Sequence, residues 1–232
     1  MTERIDVTVG NVRLACTISG PADAPPMVLL HALGEQGSDW YAVREEFEGS
    51  FRVVAIDLRG HGASSWPGSY SFELMRDDVL GVLDQLGLER SILVGHSMGG
   101  AVAYLLAEGH PDRFERLILE DTPPPVPRDQ APPRSRPEGA LPFDWQALVS
   151  VNDELRDPDS SWWEGLARIS APTLMVAGGS ASHIPQDLLA DVAGRIPNCA
   201  LVTIDVGHHV HRYALAEFVR AVRAFLQGSD VG

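Results

Sequence analysis

The chain has 232 residues, of which 44% are apolar and 22% charged. That fits one globular α/β domain and excludes a disordered chain. A formal net charge of −14 repels phosphates and anionic headgroups, so neither a nucleic acid nor a membrane surface is expected as a partner.

The first predicted elements are RIDVTVG and VRLACTIS, which alternate apolar and polar residues around Gly10-Asn11. The pattern predicts an antiparallel hairpin. Six short, nearly continuous apolar runs follow: PMVLLH, FRVVAID, SILVGH, RLILED, APTLMVAGG and ALVTIDVG. Runs of that kind suit strands buried on both faces of a parallel sheet. Helical periods lie between them. In SFELMRDDVLGVLDQLGL the apolar residues Phe72, Met75, Val79, Val82, Leu83 and Leu86 recur every three to four positions, with Ser71 as N-cap and Gly87 as stop. GGAVAYLLAEG, PQDLLADVAGRI and HRYALAEFVRAVRAFLQG are the other helices. The alternation predicts an α/β fold: a mostly parallel central sheet of about eight strands, opened by the antiparallel hairpin, with helices on both faces.

One region breaks the rhythm. TPPPVPRDQAPPRSRPEGALPF, Thr122 to Phe143, is too rich in proline for a regular element. A tryptophan-bearing segment of helical character follows. Residues 123–163 are read as a small cap insertion, and 1–122 with 164–232 as the core. Cys16 and Cys199 fall in strand-like runs and read as small buried hydrophobes, without the neighbours of a metal site or redox pair. No metal or cofactor is implied. The start, MTERIDVTVG, has no apolar signal region, and no apolar run approaches about 18 residues, so a cytoplasmic, soluble protein is expected.

The chemistry centres on ILVGHSMGGAVAYLL. Gly95-x-Ser97-x-Gly99 stands after a predicted strand and before a predicted helix, the context in which a serine is bent into a strained turn with its Oγ exposed. Ser97 needs a base to become a nucleophile at neutral pH. His208, after the last predicted strand, shares the sheet rim with Ser97. His209 is expected to face solvent or pack, and His211 to help start the final helix. His96 is expected to point away from Ser97. The oxyanion donors are expected to be the backbone N–H groups of Met98 and Leu33, with Ala32 and Gly34 as neighbours of the second. His31 is expected to brace that loop.

These pieces resemble the α/β-hydrolase fold family. LLHALGEQGSDW, VVAIDLRGHGASSWP, ILVGHSMGGAVAYLLA and DVGHHVHRYALAEFVRAV occur in the family's order and span nearly the whole chain outside the insertion. The resemblance implies that Ser97 is the nucleophile and His208 the general base. It places Asp57, Arg59 and His61 in a segment that shapes a loop near the pocket. The family's acid usually follows the strand after the cap, but here that loop reads GGSASHIP, with Ser182 or Ala181 at its position and Asp187 in the next helix. Neither Ser182 nor Ala181 can carry the charge that stabilises an imidazolium. Some members carry the acid one strand earlier, where RLILED ends in Glu120-Asp121. Asp121 is the candidate acid and Glu120 the second choice, since adjacent strand residues point to opposite sides. Asp205 is too close to His208 along the chain to orient it.

Two readings follow. In one, a serine hydrolase cleaves an ester, lactone or related acyl bond, or runs perhydrolysis or acyl transfer on the same residues. In the other, a non-catalytic or weakly active protein binds a ligand on that scaffold. The partner expected in either case is a small uncharged molecule, an acyl substrate for the enzyme. Phe143, Trp145, Trp162 and Trp163 are expected to line an apolar pocket or to anchor the insertion. No sequence feature fixes the oligomeric state.

Overall fold

The computed structural model describes residues 2–127 and 135–228. Eight strands form one sheet in the order β1-β2-β4-β3-β5-β6-β7-β8. They are β1 Glu3–Val9, β2 Val12–Ser19, β3 Pro26–Leu30, β4 Arg52–Ile56, β5 Ser91–His96, β6 Phe114–Glu120, β7 Thr173–Ala177 and β8 Cys199–Thr203. β1 pairs antiparallel with β2 through a two-residue loop, with Val9 opposite Val12. Gly10 there takes φ +60, a left-handed conformation that suits the tight turn and costs glycine little. β2 also runs antiparallel to β4, and the other pairs are parallel.

Alternate residues of each central strand feed two cores. Val28 and Leu30 of β3 join Val54, Ile56 and Leu93 on one face, under helices α2 (Phe72–Gln85) and α3 (Met98–Gly109). Met27 and Leu29 join Trp40, Val53 and Phe218 on the other, under α1 (Tyr41–Phe47) and α8 (Leu215–Leu226). This two-sided burial explains the continuous apolar runs. Each fully buried Leu or Val contributes about 1.5–3 kcal/mol. β8 departs from the expectation of burial on both faces. It is an edge strand, and none of its five residues is fully buried.

Helix α2 starts where the sequence indicates: the Ser71 hydroxyl accepts the Leu74 N–H at 3.1 Å. Gly87, with φ +65, lies just past its end. The long final helix of the sequence reading is instead two. α7 (Val210–Tyr213) and α8 are separated by Ala214, at φ −139 and ψ 54. Between β6 and β7 lie α4 (Trp145–Glu154) and α5 (Ser161–Gly165). Asp144 caps α4 by accepting the Gln146 N–H and also accepts the Tyr70 hydroxyl at 2.6 Å. Trp162 packs edge-on against Phe72, and the Trp163 indole N–H donates to the Pro125 carbonyl. Part of the proline-rich stretch read as irregular, 128–134, lies outside the described residues. α6 (Gln186–Arg195) covers the sheet beside β7 through Leu189 and Val192. Among the described residues no helix is long and apolar enough to cross a membrane.

The chain leaves β3 toward β4 on one side and returns to β5 on the other. That reversal opens a crevice at the strand C-termini. The residues after β3, β5, β6, β7 and β8 all gather there.

Candidate active site

Ser97 follows β5 directly and caps α3, at φ 51 and ψ −115. Positive φ is costly for a residue with a Cβ and persists only where the surroundings enforce it. The enforcement is close packing of the turn. A Cβ on Gly95 would lie 2.6 Å from the Gly99 carbonyl oxygen, and one on Gly99 would lie 2.3 Å from that of Leu30. The two glycines let the strand, the turn and the helix approach within that distance. Among the described residues one other non-glycine has positive φ, Asp121 at 45.

Asp121 follows β6 and is fully buried. The His208 Nδ1–H donates to its Oδ2 at 2.8 Å. The Ser182 hydroxyl donates to the same oxygen. Gly178 N–H donates to Oδ1 at 2.8 Å, and the Gln186 amide donates to it at 3.3 Å. Burial opposes ionisation, but the donors from His208, Ser182, Gly178 and Gln186 outweigh it and hold Asp121 below the usual carboxylate range. A carboxylate accepting from Nδ1 leaves His208 Nε2 as the nitrogen that exchanges a proton. The absent aspartate after β7 therefore does not leave this histidine without a carboxylate. Ser182 contributes a hydrogen bond to that carboxylate in place of a charge.

A cavity of about 390 Å3 opens beside these groups, lined by Ser97, Met98, Leu33 and Asp121 at one end and by Phe143, Leu148, Val151 and Leu155 toward the insertion. A larger hollow of about 660 Å3 runs along α8, but its lining, which includes Glu46, Arg220 and Arg223, holds no nucleophile.

A model of the alpha/beta hydrolase fold family matches residues 25–138. A hydrolase from Pseudomonas aeruginosa superposes with a TM-score of 0.85 at 28% identity, covering 97% of this chain and 98% of that one. The chain has the alpha/beta hydrolase fold. The enol-lactonase from Burkholderia xenovorans superposes with a TM-score of 0.85 at 25% identity, over 96% of this chain and all of that one. A mouse sn-1-specific diacylglycerol lipase is 27% identical over 257 residues, 90% of this chain and 83% of that protein.

In this hydrolase the loop after β3 is tightly braced. His31 donates from Nδ1 to the Ala32 carbonyl at 2.7 Å and accepts the Leu58 N–H on Nε2. Burial holds His31 neutral, its pKa pulled down to about 3. His61 donates to the Arg59 carbonyl and accepts the Gly34 N–H at 3.2 Å. The Gly34 N–H is thus engaged, while Leu33 lines the cavity. Asp57 accepts from the Gly37 and Ala63 N–H groups, and Arg59 forms a two-pronged pair with Asp78 at 2.5 and 2.7 Å. Met98 is the first residue of α3, so its N–H has no acceptor a turn earlier.

The other sequence candidates separate cleanly. The Glu120 carboxylate lies away from His208, on the opposite side from Asp121, and accepts both the backbone N–H and the Nδ1–H of His211, at 2.9 and 2.7 Å. His211 Nε2–H donates to Asp39 at 3.0 Å. His211 lies within α7 and stacks on Trp40 at 4.2 Å. Its role is therefore a buried ion pair in addition to a helix start. His209 is hydrogen-bonded to Glu35 at 3.0 Å rather than simply solvated. Asp205 accepts from Ser180 and Ala181, and Asp187 is exposed. His208 itself lies beyond the end of β8, since that strand stops at Thr203. Sequence reasoning missed Ser182, Gln186 and Glu35. Their partners are distant in the chain, and no local pattern marks them.

Proposed function

We propose that this hydrolase cleaves an ester, lactone or related acyl bond through an acyl-enzyme. Ser97 Oγ attacks the carbonyl carbon as His208 Nε2 takes its proton, and Asp121 holds the imidazole and stabilises the imidazolium that forms. The N–H groups of Met98 and Leu33 receive the oxyanion, assisted by the N-terminal end of α3. The leaving group departs with the proton from His208. Water, activated by the same nitrogen, then releases the acid. The observation that carries this reading is the 2.8 Å bond between His208 and a buried, ionised Asp121, at the rim where Ser97 is held in a strained turn. The imidazole and the carboxylate thus come from the ends of different strands and meet at the sheet edge.

The cavity favours small to medium uncharged acyl groups. Its far wall is apolar, and the net charge of −14 disfavours anions. The enol-lactonase and the lipase named above support acyl chemistry without choosing among esters and lactones. A panel of neutral p-nitrophenyl esters and lactones of rising chain length tests the reading on wild type and Ser97→Ala. The expected result is turnover that peaks at short to medium chains and is lost in the variant. Equal turnover by Ser97→Ala would reject it.

A further inference from the structure

Behind the candidate base lies a second polar cluster that the proposed chemistry does not use. It brings together Glu35 from the loop after β3, Asp39 just before α1, His96 at the end of β5, Glu120 of β6, and His209, His211 and Arg212 around α7. Its hydrogen bonds can be assigned almost completely. A backbone carbonyl only accepts, so His96 Nε2 carries the hydrogen in its 2.8 Å bond to the His208 carbonyl oxygen. His96 Nδ1 is then a bare acceptor. It is fully buried and has no partner. Oε2 of Glu35, which is also buried and unpartnered, lies 4.0 Å away. The other oxygen of that carboxylate, Oε1, accepts from both His209 Nε2 at 3.0 Å and Arg212 Nη2 at 2.9 Å.

Two buried acceptors facing each other are unfavourable unless something positive lies between them. Charge counting gives the same answer. Glu35, Asp39 and Glu120 are three carboxylates. Arg212, bonded to both Glu35 and Asp39, and His211, whose two ring nitrogens each donate to a carboxylate, are two cations. The cluster lacks one positive charge. A divalent cation would be too much beside Arg212, which already lies 2.9 Å from the same carboxylate. One proton balances the count and serves both unpartnered atoms.

We propose that Glu35 is a positioning residue that works as a neutral carboxylic acid, its Oε2–H donating to His96 Nδ1 and so holding His96 in the tautomer that anchors the backbone of His208. The proposal rests on the serine-hydrolase reading for its effect on turnover, but not for the tautomer itself. Glu35 lies two residues beyond Leu33 and bonds His209, next to His208. The same side chain therefore ties the oxyanion loop to the loop that carries the base. When Glu35 ionises, His96 Nδ1 becomes the better site for the hydrogen, Nε2 turns a lone pair toward the His208 carbonyl, and that anchor is lost. Burial, then a hydrogen bond to Asp39 and that carboxylate's charge, raise Glu35 to about 8, in the direction this assignment requires, with Asp39 the competing acceptor for its proton. The groups that face it are His96, Asp39, His209, His211 and Arg212. Burial also pulls His96 down to about 3, so the ring does not become a cation in its place.

Two variants and two readouts test this. Glutamine reproduces the protonated acid, with an N–H2 for His96 and a carbonyl for His209 and Arg212, whereas alanine reproduces neither. Glu35→Ala is expected to lower kcat roughly tenfold with little change in KM, the scale of one lost hydrogen bond at a buried group. Wild type is expected to lose kcat as pH rises through about 8, and Glu35→Gln is expected to restore most of the alanine loss and to abolish that alkaline decline. Independently of turnover, nitrogen-15 NMR of histidine-labelled protein in the Ser97→Ala background should show His96 as the Nε2–H tautomer at neutral pH, switching with rising pH in that background but not after Glu35→Gln. An Nδ1–H tautomer at neutral pH overturns the proposal. So does a Glu35→Gln enzyme that keeps the alkaline decline, or activity that a chelator removes and Zn2+ restores. Failure of the serine reading would show separately, as turnover that survives Ser97→Ala.

Discussion

Glu120 and Asp121 are adjacent, yet each holds a different histidine of the same short segment. The Glu120–His211 pair is closed. Both ring nitrogens donate to carboxylates, from Glu120 and Asp39. Burial works against the charge, but those two carboxylates outweigh it and raise His211 to about 9. The Asp121–His208 pair is open. One nitrogen is bound to the carboxylate, and the ring stays 12% exposed at the side chain. The same two functional groups thus give a permanent ion pair in one place and a candidate proton carrier in the other. A histidine that already holds both protons cannot accept one from a serine, so of the two pairs Asp121–His208 is the one that fits the proposed base.

Substitutions can break this comparison, and the largest effect belongs to the nucleophile. Ser97→Ala should lower kcat by about 10^4-fold or more, measured with the best ester of the panel at saturation. Next, Asp121→Asn should cost on the order of 10^3- to 10^4-fold in kcat, because the amide favours the wrong histidine tautomer. Thermal unfolding should change far less than activity. Glu120→Gln should do the reverse. Removing one charge of a buried pair costs about 3–5 kcal/mol of stability, read by urea denaturation, while kcat at a temperature where the variant is folded stays near wild type. Activity lost in Glu120→Gln and kept in Asp121→Asn would exchange the two roles. A smaller loss, roughly tenfold in kcat, is expected for Ser182→Ala, which removes one hydrogen bond to the Asp121 carboxylate.

The smallest effect is a pH dependence of stability. His211 has a folded pKa of about 9 against an ordinary value of 6.5. The raised pKa means that the folded state binds the proton more tightly, so its contribution is fully present below pH 6.5 and is lost as pH rises through about 9. Asp121 has the opposite sign. Its lowered pKa contributes stability above its ordinary value of 3.8, which is lost as pH falls through its folded pKa. Unfolding midpoints collected from pH 6 to pH 9 should fall on the alkaline side, and the fall should shrink in His211→Gln.

Much of this architecture is legible in the chain. Parallel strands buried on two faces leave nearly continuous apolar runs; all six such runs are strands, and the edge strand β8 is the one not buried on both faces. The turn that carries Ser97 is legible because its glycines are sterically necessary. Asp121 is legible as the candidate partner of His208 from its place at the end of β6, once the loop after β7 is seen to lack an aspartate; strand alternation says only that Glu120 and Asp121 point to opposite sides. Other features leave no local trace. Ser182 reads in sequence as a missing charge, and only its proximity to Asp121 shows it as a donor. Glu35 meets His209 across 174 positions, so no periodic pattern records the pairing. The break at Ala214 hides inside a helical period, because alanine is a good helix former and its departure is set by packing.

The central claim is that the Ser97 hydroxyl is made nucleophilic by His208 and Asp121. Trapping tests it most directly. The folded protein is treated with a fluorophosphonate, digested, and analysed by mass spectrometry for the peptide that contains Ser97. The account predicts a single adduct on Ser97 in wild type, with labelling slowed by orders of magnitude in Asp121→Asn and unchanged in a folded Glu120→Gln. An unmodified Ser97 in active protein, or labelling at the same rate in Asp121→Asn, would contradict it.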